Sequence, residues 1–191
     1  SAGDVSKPFT IQSVSKILTL AIAISDIGEE RVFSKVGMEP TGDPFNSISK
    51  LEQQVPAKPL NPMINAGALT VTDLISGQDC QEKLERLLEL VRKMSGNSQV
   101  TYNLEVAKSE YRTAYLNRAL CYFLKEHGVI ESDIESLIDI YTKQCAIEVS
   151  CTDLARIGYV LANEGVCPET SEQLLPKEIT RLVKTFMVTC G

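Results

Sequence analysis

Apolar residues recur along this chain mostly at helical spacing. After "PFTIQ", a short β-type stretch, residues 12 to 28 are apolar on nearly every side. That pattern predicts a helix buried in the core and ended near Gly28. Between Gln81 and Met94, the apolar Leu84, Leu87, Leu88, Val91 and Met94 are set among charged residues, the signature of an amphipathic surface helix. A third helical block covers about Leu104 to Glu126. Ser132-xx-Glu135 reads as a capping box and Ser150-xx-Asp153 as a looser one, opening two further helices. Gly165 stops the second of these, and Pro176 opens a last helix toward Val188. Pro62 suits the first turn of a helix over "NPMINAGALTVTDLI". Residues 31 to 50, broken by Gly37, Pro40, Gly42 and Pro44, read as a turn-rich loop. Strand patterns are scarce: "PFTIQ", a weaker "RVFSKVG" and the short "AIEVS". Either the protein is largely helical, or this is a segment of something longer.

Composition narrows the class. The 191 residues suit one domain, and 43% hydrophobic with 23% charged residues is ordinary for a soluble globular protein. Nineteen basic and 25 acidic residues give a net charge of −6, and no basic stripe interleaves with aromatics. A nucleic-acid partner is therefore not expected. The longest apolar run, Ile17 to Ile24, falls far short of the ~20 residues that span a bilayer. "SAGDVSKPFT" carries neither region of a signal peptide, so the expectation is a cytoplasmic protein with no membrane partner. Six cysteines (Cys80, Cys121, Cys145, Cys151, Cys167 and Cys190) form no CxxC pair, and His127 is the only histidine. These argue against a zinc site and for free thiols, several of them on apolar helical stretches. His127, before Gly128, is assigned to a helix's last turn, where a cation suits the dipole. With no catalytic role for it, a Ser-His-Asp triad within the chain is excluded.

One spacing carries chemistry. Ser13-Val14-Ser15-Lys16 is an S-x-x-K motif, and residues three apart on a helix share a face. A serine hydroxyl needs a base, and a lysine desolvated by an apolar helix can have its pKa lowered enough to serve. The competing reading is a helix cap beside a surface lysine, with Ser15 as a rival cap. Spacing alone leaves both open.

The surrounding segments bear on that choice. "PFTIQSVSK", "EPTGDPFNSI" (39–48), "KPLNPMINAGAL" (58–69), "SEYRTAYLNRALCYFL" (109–124), "YTKQCAIEVSCTDLA" (141–155) and "LANEGVCP" (161–168) occur in order and without large gaps. Together they resemble the serine-dependent glutaminase family, related in fold to β-lactamases and penicillin-binding proteins. The resemblance implies an α/β, helix-rich fold and hydrolysis of L-glutamine to L-glutamate and ammonia through an acyl-serine. It implies Ser13 as nucleophile and Lys16 as its base. Gln12, Ser13, Asn65, Glu110, Asn117 and Tyr141 would bind the substrate, with no metal or organic cofactor needed. Glu110 can pair with the α-ammonium of glutamine, while Asn65, Asn117 and Tyr141 can donate to carboxylate or carbonyl. Glu110 and Asn117, seven apart, are expected on one helix face two turns apart. The family commonly forms homo-oligomers, so a dimer or tetramer is implied as well.

The family pattern also begins before Ser1 and continues beyond Gly191, with a proton-relaying tyrosine and a Gly-rich strand at the oxyanion site. The resemblance thus implies that residues 1–191 are one catalytic domain segment, with much of the central sheet outside this chain. Two other functions stay in play. A β-lactamase-like acyltransferase lacks support from a K-T-G element, because Lys184-Thr185-Phe186 puts Phe at the glycine and reads as helix. Ser95-Gly96-Asn97, the literal S-x-N match, reads as the turn closing a surface helix. A catalytically inactive glutamine-binding scaffold is the alternative from outside the enzymes.

Overall fold

The computed structural model describes residues 2–42, 44–53 and 55–190, leaving Asp43 of the "EPTGDPFNSI" loop outside the described residues. It is helix-rich, with one small sheet. Strand β1 (Phe9–Thr10) pairs antiparallel with β2 (Glu148–Val149), Phe9 opposite Val149 and Thr10 opposite Glu148. The β-type stretch is cut short because the Ile11 amide bonds the Ile147 carbonyl at 2.9 Å and the chain then turns through a 3-10 turn, Gln12–Val14. Helix α1 (Ser15–Ile27) follows, buried from Ser15 through Ile24, as its all-round apolar sequence requires. Gly28, at φ 84°, ends it.

Several elements depart from their sequence patterns for identifiable reasons. "RVFSKVG" is not a strand: it belongs to α2 (Glu29–Lys35), whose first turn carries Glu29 and Glu30 and whose last carries Lys35. Those charges complement the helix dipole at both ends. The remaining loop is interrupted by a short α3 (Ser49–Gln53). Helix α4 (Asn65–Leu74) starts three residues later than Pro62 suggested. The Asn61 side chain accepts from the amides of Met63 and Ile64, at 2.9 and 3.2 Å, and so holds Pro62 in a turn.

Helix α5 (Cys80–Ser95) is capped by the Asp79 side chain and closed by Gly96 in the left-handed conformation, so Ser95-Gly96-Asn97 is the turn after a helix. The expected single block at 104–126 is two helices, α6 (Leu104–Thr113) and α7 (Tyr115–Glu126), meeting at Ala114. Arg118 explains the break, since its Nη1 donates to the Tyr111 carbonyl at 2.7 Å. Glu110 and Asn117 therefore sit on different helices, not on one face. Helix α8 (Ile134–Cys145) is capped by Asp133, not by Ser132, because the Asp133 carboxylate accepts from both the amide and hydroxyl of Ser136. Ser150 and Asp153 do form a full capping box on α9 (Cys151–Ala162). Pro176 precedes α10 (Lys177–Thr189), which holds Lys184-Thr185-Phe186 within its span.

Two apolar clusters form the core. One gathers α1, α5, α9 and α10 around Leu18, Leu20, Leu84, Leu87, Val160 and Phe186. The other joins α4, α7 and α8 around Leu69, Leu120, Leu124, Leu137 and Ile138. Each such side chain contributes about 1.5–3 kcal/mol on full burial. Helix α4 packs on α1, and Gly67 lets α4 lie close against the turn before it: a Cβ there would meet the Asn61 carbonyl oxygen at 1.9 Å. Cys121, Cys145 and Cys167 are buried, Cys151 is exposed, and all six cysteines are free. No helix among the described residues is long and apolar enough to cross a membrane.

Candidate active site

Lys16 lies where α1 meets α4, only 4% exposed. Its Nζ donates to the Met63 carbonyl and to Asn65 Oδ1, each at 2.8 Å, with the Phe45 ring 5.8 Å away. Burial lowers its pKa from 10.5 to about 8, opposed by the neighbouring Cys145. Both acceptors are neutral, so neither compensates a buried ammonium as a carboxylate would. Two acceptors also equal the two N–H bonds of a neutral amine. Deprotonated Lys16 can keep both bonds and still have a lone pair free.

Ser13 is exposed, in the 3-10 turn just before α1. No hydrogen bond joins it to Lys16 among the described residues, but both line one cavity of about 480 Å³. Val14, Ile17, Phe45, Met63, Met187 and Cys190 make the rest of that cavity largely apolar. The surface-lysine reading of the motif fails here, because the amine is buried. The cap reading fails too: Val14 is the N-cap of α1 and makes no side-chain cap bond.

Two of the other expected site residues, Asn117 and Tyr141, reach Lys16 through Asn65. Asn65 Nδ2 donates to Asn117 Oδ1 at 3.1 Å, and the Tyr141 hydroxyl makes a long 3.5 Å contact with Asn65 Oδ1. Asn65 owes its place to the loop before it, since its amide bonds the Phe45 carbonyl at 2.7 Å. Gln12 Nε2 donates to Glu110 Oε1 at 2.8 Å and to Thr10 Oγ1 at 3.0 Å. Burial raises the Tyr141 phenol well above its usual value and the Cys145 thiol to about 12. The structure thus brings Lys16, Asn65, Asn117 and Tyr141 into one polar chain, and Gln12 with Glu110 into a second. Glu110, Asn117 and Tyr141 do not line the apolar cavity beside Ser13.

Two participants escaped sequence reasoning. The Met63 carbonyl is a backbone group, which residue types do not reveal. Ser15, read only as a rival cap, is completely buried and donates its hydroxyl to the Gln12 carbonyl at 2.8 Å. Its signal was present in the sequence: a serine on the first turn of an otherwise apolar helix needs a hydrogen-bond partner.

A buried amine between two neutral acceptors, one helical turn from an exposed serine, defines a serine–lysine site on a helical scaffold. A profile of the glutaminase family matches residues 1–191, and the chain belongs to that family. Glutaminase 1 of Halalkalibacterium halodurans is 63% identical over 190 residues, an alignment covering 100% of this chain and 62% of that protein. The crystal structure of a probable glutaminase from Bacillus subtilis superposes with a TM-score of 0.96 at 44% identity, covering 100% of this chain and 61% of that one. A Bacillus subtilis glutaminase in covalent complex with 5-oxo-L-norleucine, formed with 6-diazo-5-oxo-L-norleucine, superposes at 0.86 with 38% identity over 100% of this chain and 59% of that one. The chain therefore spans about 62% of the length of the curated relatives it matches.

Proposed function

We propose that this chain is a catalytic-domain segment of a glutaminase, hydrolysing L-glutamine to L-glutamate and ammonia through an acyl-Ser13 intermediate. The observation that carries this reading is Lys16, buried and poised near pH 8, one turn from Ser13 at a shared cavity. Neutral Lys16 takes the Ser13 proton as Oγ bonds the amide carbon. The proton then passes to the amide nitrogen as the C–N bond breaks, and ammonia leaves. Water, deprotonated in the same way, attacks the acyl carbon and releases glutamate from Ser13. Glu110 receives the α-ammonium, with Gln12 bonded beside it as a neutral partner. Asn65, Asn117 and Tyr141 bind the carboxylate or amide oxygen, and Asn65 also anchors Lys16. Membership of the glutaminase family and the reaction of the Bacillus subtilis relative with a glutamine analogue support this assignment.

The same reading includes a β-lactamase/transpeptidase-like topology for residues 1–191 as one domain segment. It also includes a homo-oligomeric, cytoplasmic enzyme working without metal or organic cofactor. The test is an intact mass after exposure to 6-diazo-5-oxo-L-norleucine, followed by mapping of the adduct. Modification of Ser13 that disappears in Lys16→Ala is the expected result. Modification elsewhere, or equal labelling of the Lys16→Ala protein, would overturn the assignment.

A further inference from the structure

The backbone that carries Ser13 is held in an unfavourable conformation. Gln12, directly before it, has φ 50°, in the left-handed region that side-chain-bearing residues rarely adopt. Such a conformation persists only where its surroundings over-determine it, and it recurs at functional sites. Here the surroundings are specific. The Ile11 amide is fixed to the Ile147 carbonyl, and the Gln12 side chain is tied to Thr10 and Glu110. The Gln12 carbonyl accepts twice from Ser15, once from its amide and once from its hydroxyl at 2.8 Å.

The hydroxyl is the unexpected member. Ser15 is fully buried on the first turn of α1, and Cys145 of α8 lies against it. A capping serine accepts from a helix amide, whereas this one donates backward to the residue ahead of the turn. An alanine would suit the apolar helix without any buried hydroxyl to satisfy. Apart from its contact with Cys145 of α8, helix α1 gains nothing that needs this serine, while the turn before it does.

We propose that Ser15 is a positioning residue for acylation, its hydroxyl clamping the Gln12 peptide so that Ser13 is held at the cavity it shares with Lys16. This rests on the reading of Ser13 as nucleophile. Ser15 is not one of Lys16's two acceptors, so it sets where the nucleophile stands and not how basic the amine is. Freed of the clamp, Gln12 relaxes toward a right-handed conformation and carries Ser13 with it. A misplacement of about 1 Å can slow a reaction roughly 100-fold.

The test uses the full natural protein, wild type and with Ser15→Ala or Ser15→Cys, reacted with 6-diazo-5-oxo-L-norleucine and followed by intact mass. In this alkylation the serine oxygen bonds the diazo carbon, N₂ leaves, and the serine proton ends on that carbon. Ser15→Ala is expected to label roughly 10- to 100-fold more slowly at saturating reagent, with the midpoint of its rate–pH profile unchanged. Ser15→Cys, a weaker donor of similar size, should fall between. A purely structural serine would lower the melting temperature but leave the folded variant reacting at the wild-type rate, which overturns the proposal. A pH midpoint that moves would place the effect on Lys16, and also overturns it. If Ser15→Ala does not fold, Ser15→Cys decides: a slower rate supports the clamp and a wild-type rate removes it. Failure to label Ser13 in the wild-type protein would bring down the underlying reading and the clamp together. Labelling of the wild type with an unchanged Ser15→Ala rate brings down the clamp alone.

Discussion

At the scale of single residues, the site depends on an amine kept short of compensation. Moving Lys16 from 10.5 to about 8 corresponds to about 3 kcal/mol of disfavoured protonation. In the proposed mechanism the base is the neutral form, so acylation should accelerate as pH rises through about 8 and level off above it. A rate–pH profile of glutamine turnover, or of labelling by the diazo analogue, checks this. Asn65→Asp would put a carboxylate where Oδ1 now sits, 2.8 Å from Nζ. The negative charge favours the ammonium and raises the lysine pKa. The midpoint should move up by a unit or more, and the rate at pH 7.5 should fall about tenfold or beyond. An unmoved midpoint would mean that Lys16 is not the titrating base. Much of this was legible beforehand, because an S-x-x-K motif opening an apolar helix foretells a desolvated lysine. The Met63 carbonyl was not, since any residue supplies one. Nor was the side-chain partnership of Gln12 and Glu110, which lie 98 positions apart.

At the scale of elements, the site is assembled by two tight connections. The first is the loop into α4, where Asn61, Gly67 and Asn65 fix one another. Gly67→Ala should force the α4 N-terminus away from Asn61, because the obstructing atom belongs to the backbone and cannot swing aside. A loss of about 3 kcal/mol or more is expected from urea unfolding, and an unchanged midpoint would contradict the packing. The second is the α6–α7 corner. Arg118 bonds the Tyr111 carbonyl and the Glu135 carboxylate of α8, and so holds Glu110 and Asn117 on either side of Ala114. Arg118→Ala should raise the KM for glutamine several-fold and lower kcat too, since the proposed binding residues Glu110 and Asn117 shift and loosen their bonds to Gln12 and Asn65. Steady-state kinetics on glutamine would show it, and a loss confined to kcat would refute it. The sequence pattern located α1, α5 and α9 because periodicity and caps are local signals. It merged α6 with α7 and misplaced the starts of α4 and α8, because long-range and side-chain hydrogen bonds decide those boundaries.

At the scale of the whole molecule, four buried groups set how stability responds to alkali. Unfolded thiols ionise near 9.0, but burial raises Cys121 and Cys145 to about 12, and the Tyr141 phenol is raised as well. Above pH 9 the native state therefore keeps protons that the unfolded chain releases. Each thiol then removes stability at up to about 1.4 kcal/mol per pH unit. Lys16 acts in the opposite sense. Between about 8 and 10.5 the native amine has lost a proton that the unfolded amine still holds, so stability rises at a similar slope. From pH 8 to 9 only the lysine operates, and unfolding should become harder. From 9 to 10 two thiols outweigh one lysine, from about 10 the phenol joins them, and above 10.5 the decline steepens again as the lysine drops out. Urea midpoints across this range should trace that maximum near pH 9. Lys16→Met should abolish the rise, leaving the profile flat to about pH 9 and steeper in its decline beyond. Cys121→Ala should be less stable at pH 7 through lost packing, yet decline less steeply above pH 9. If wild type and Lys16→Met gave superimposable profiles, Lys16 would not be a buried amine of lowered pKa. The proposed base would then lose its physical footing whatever the activity assays returned.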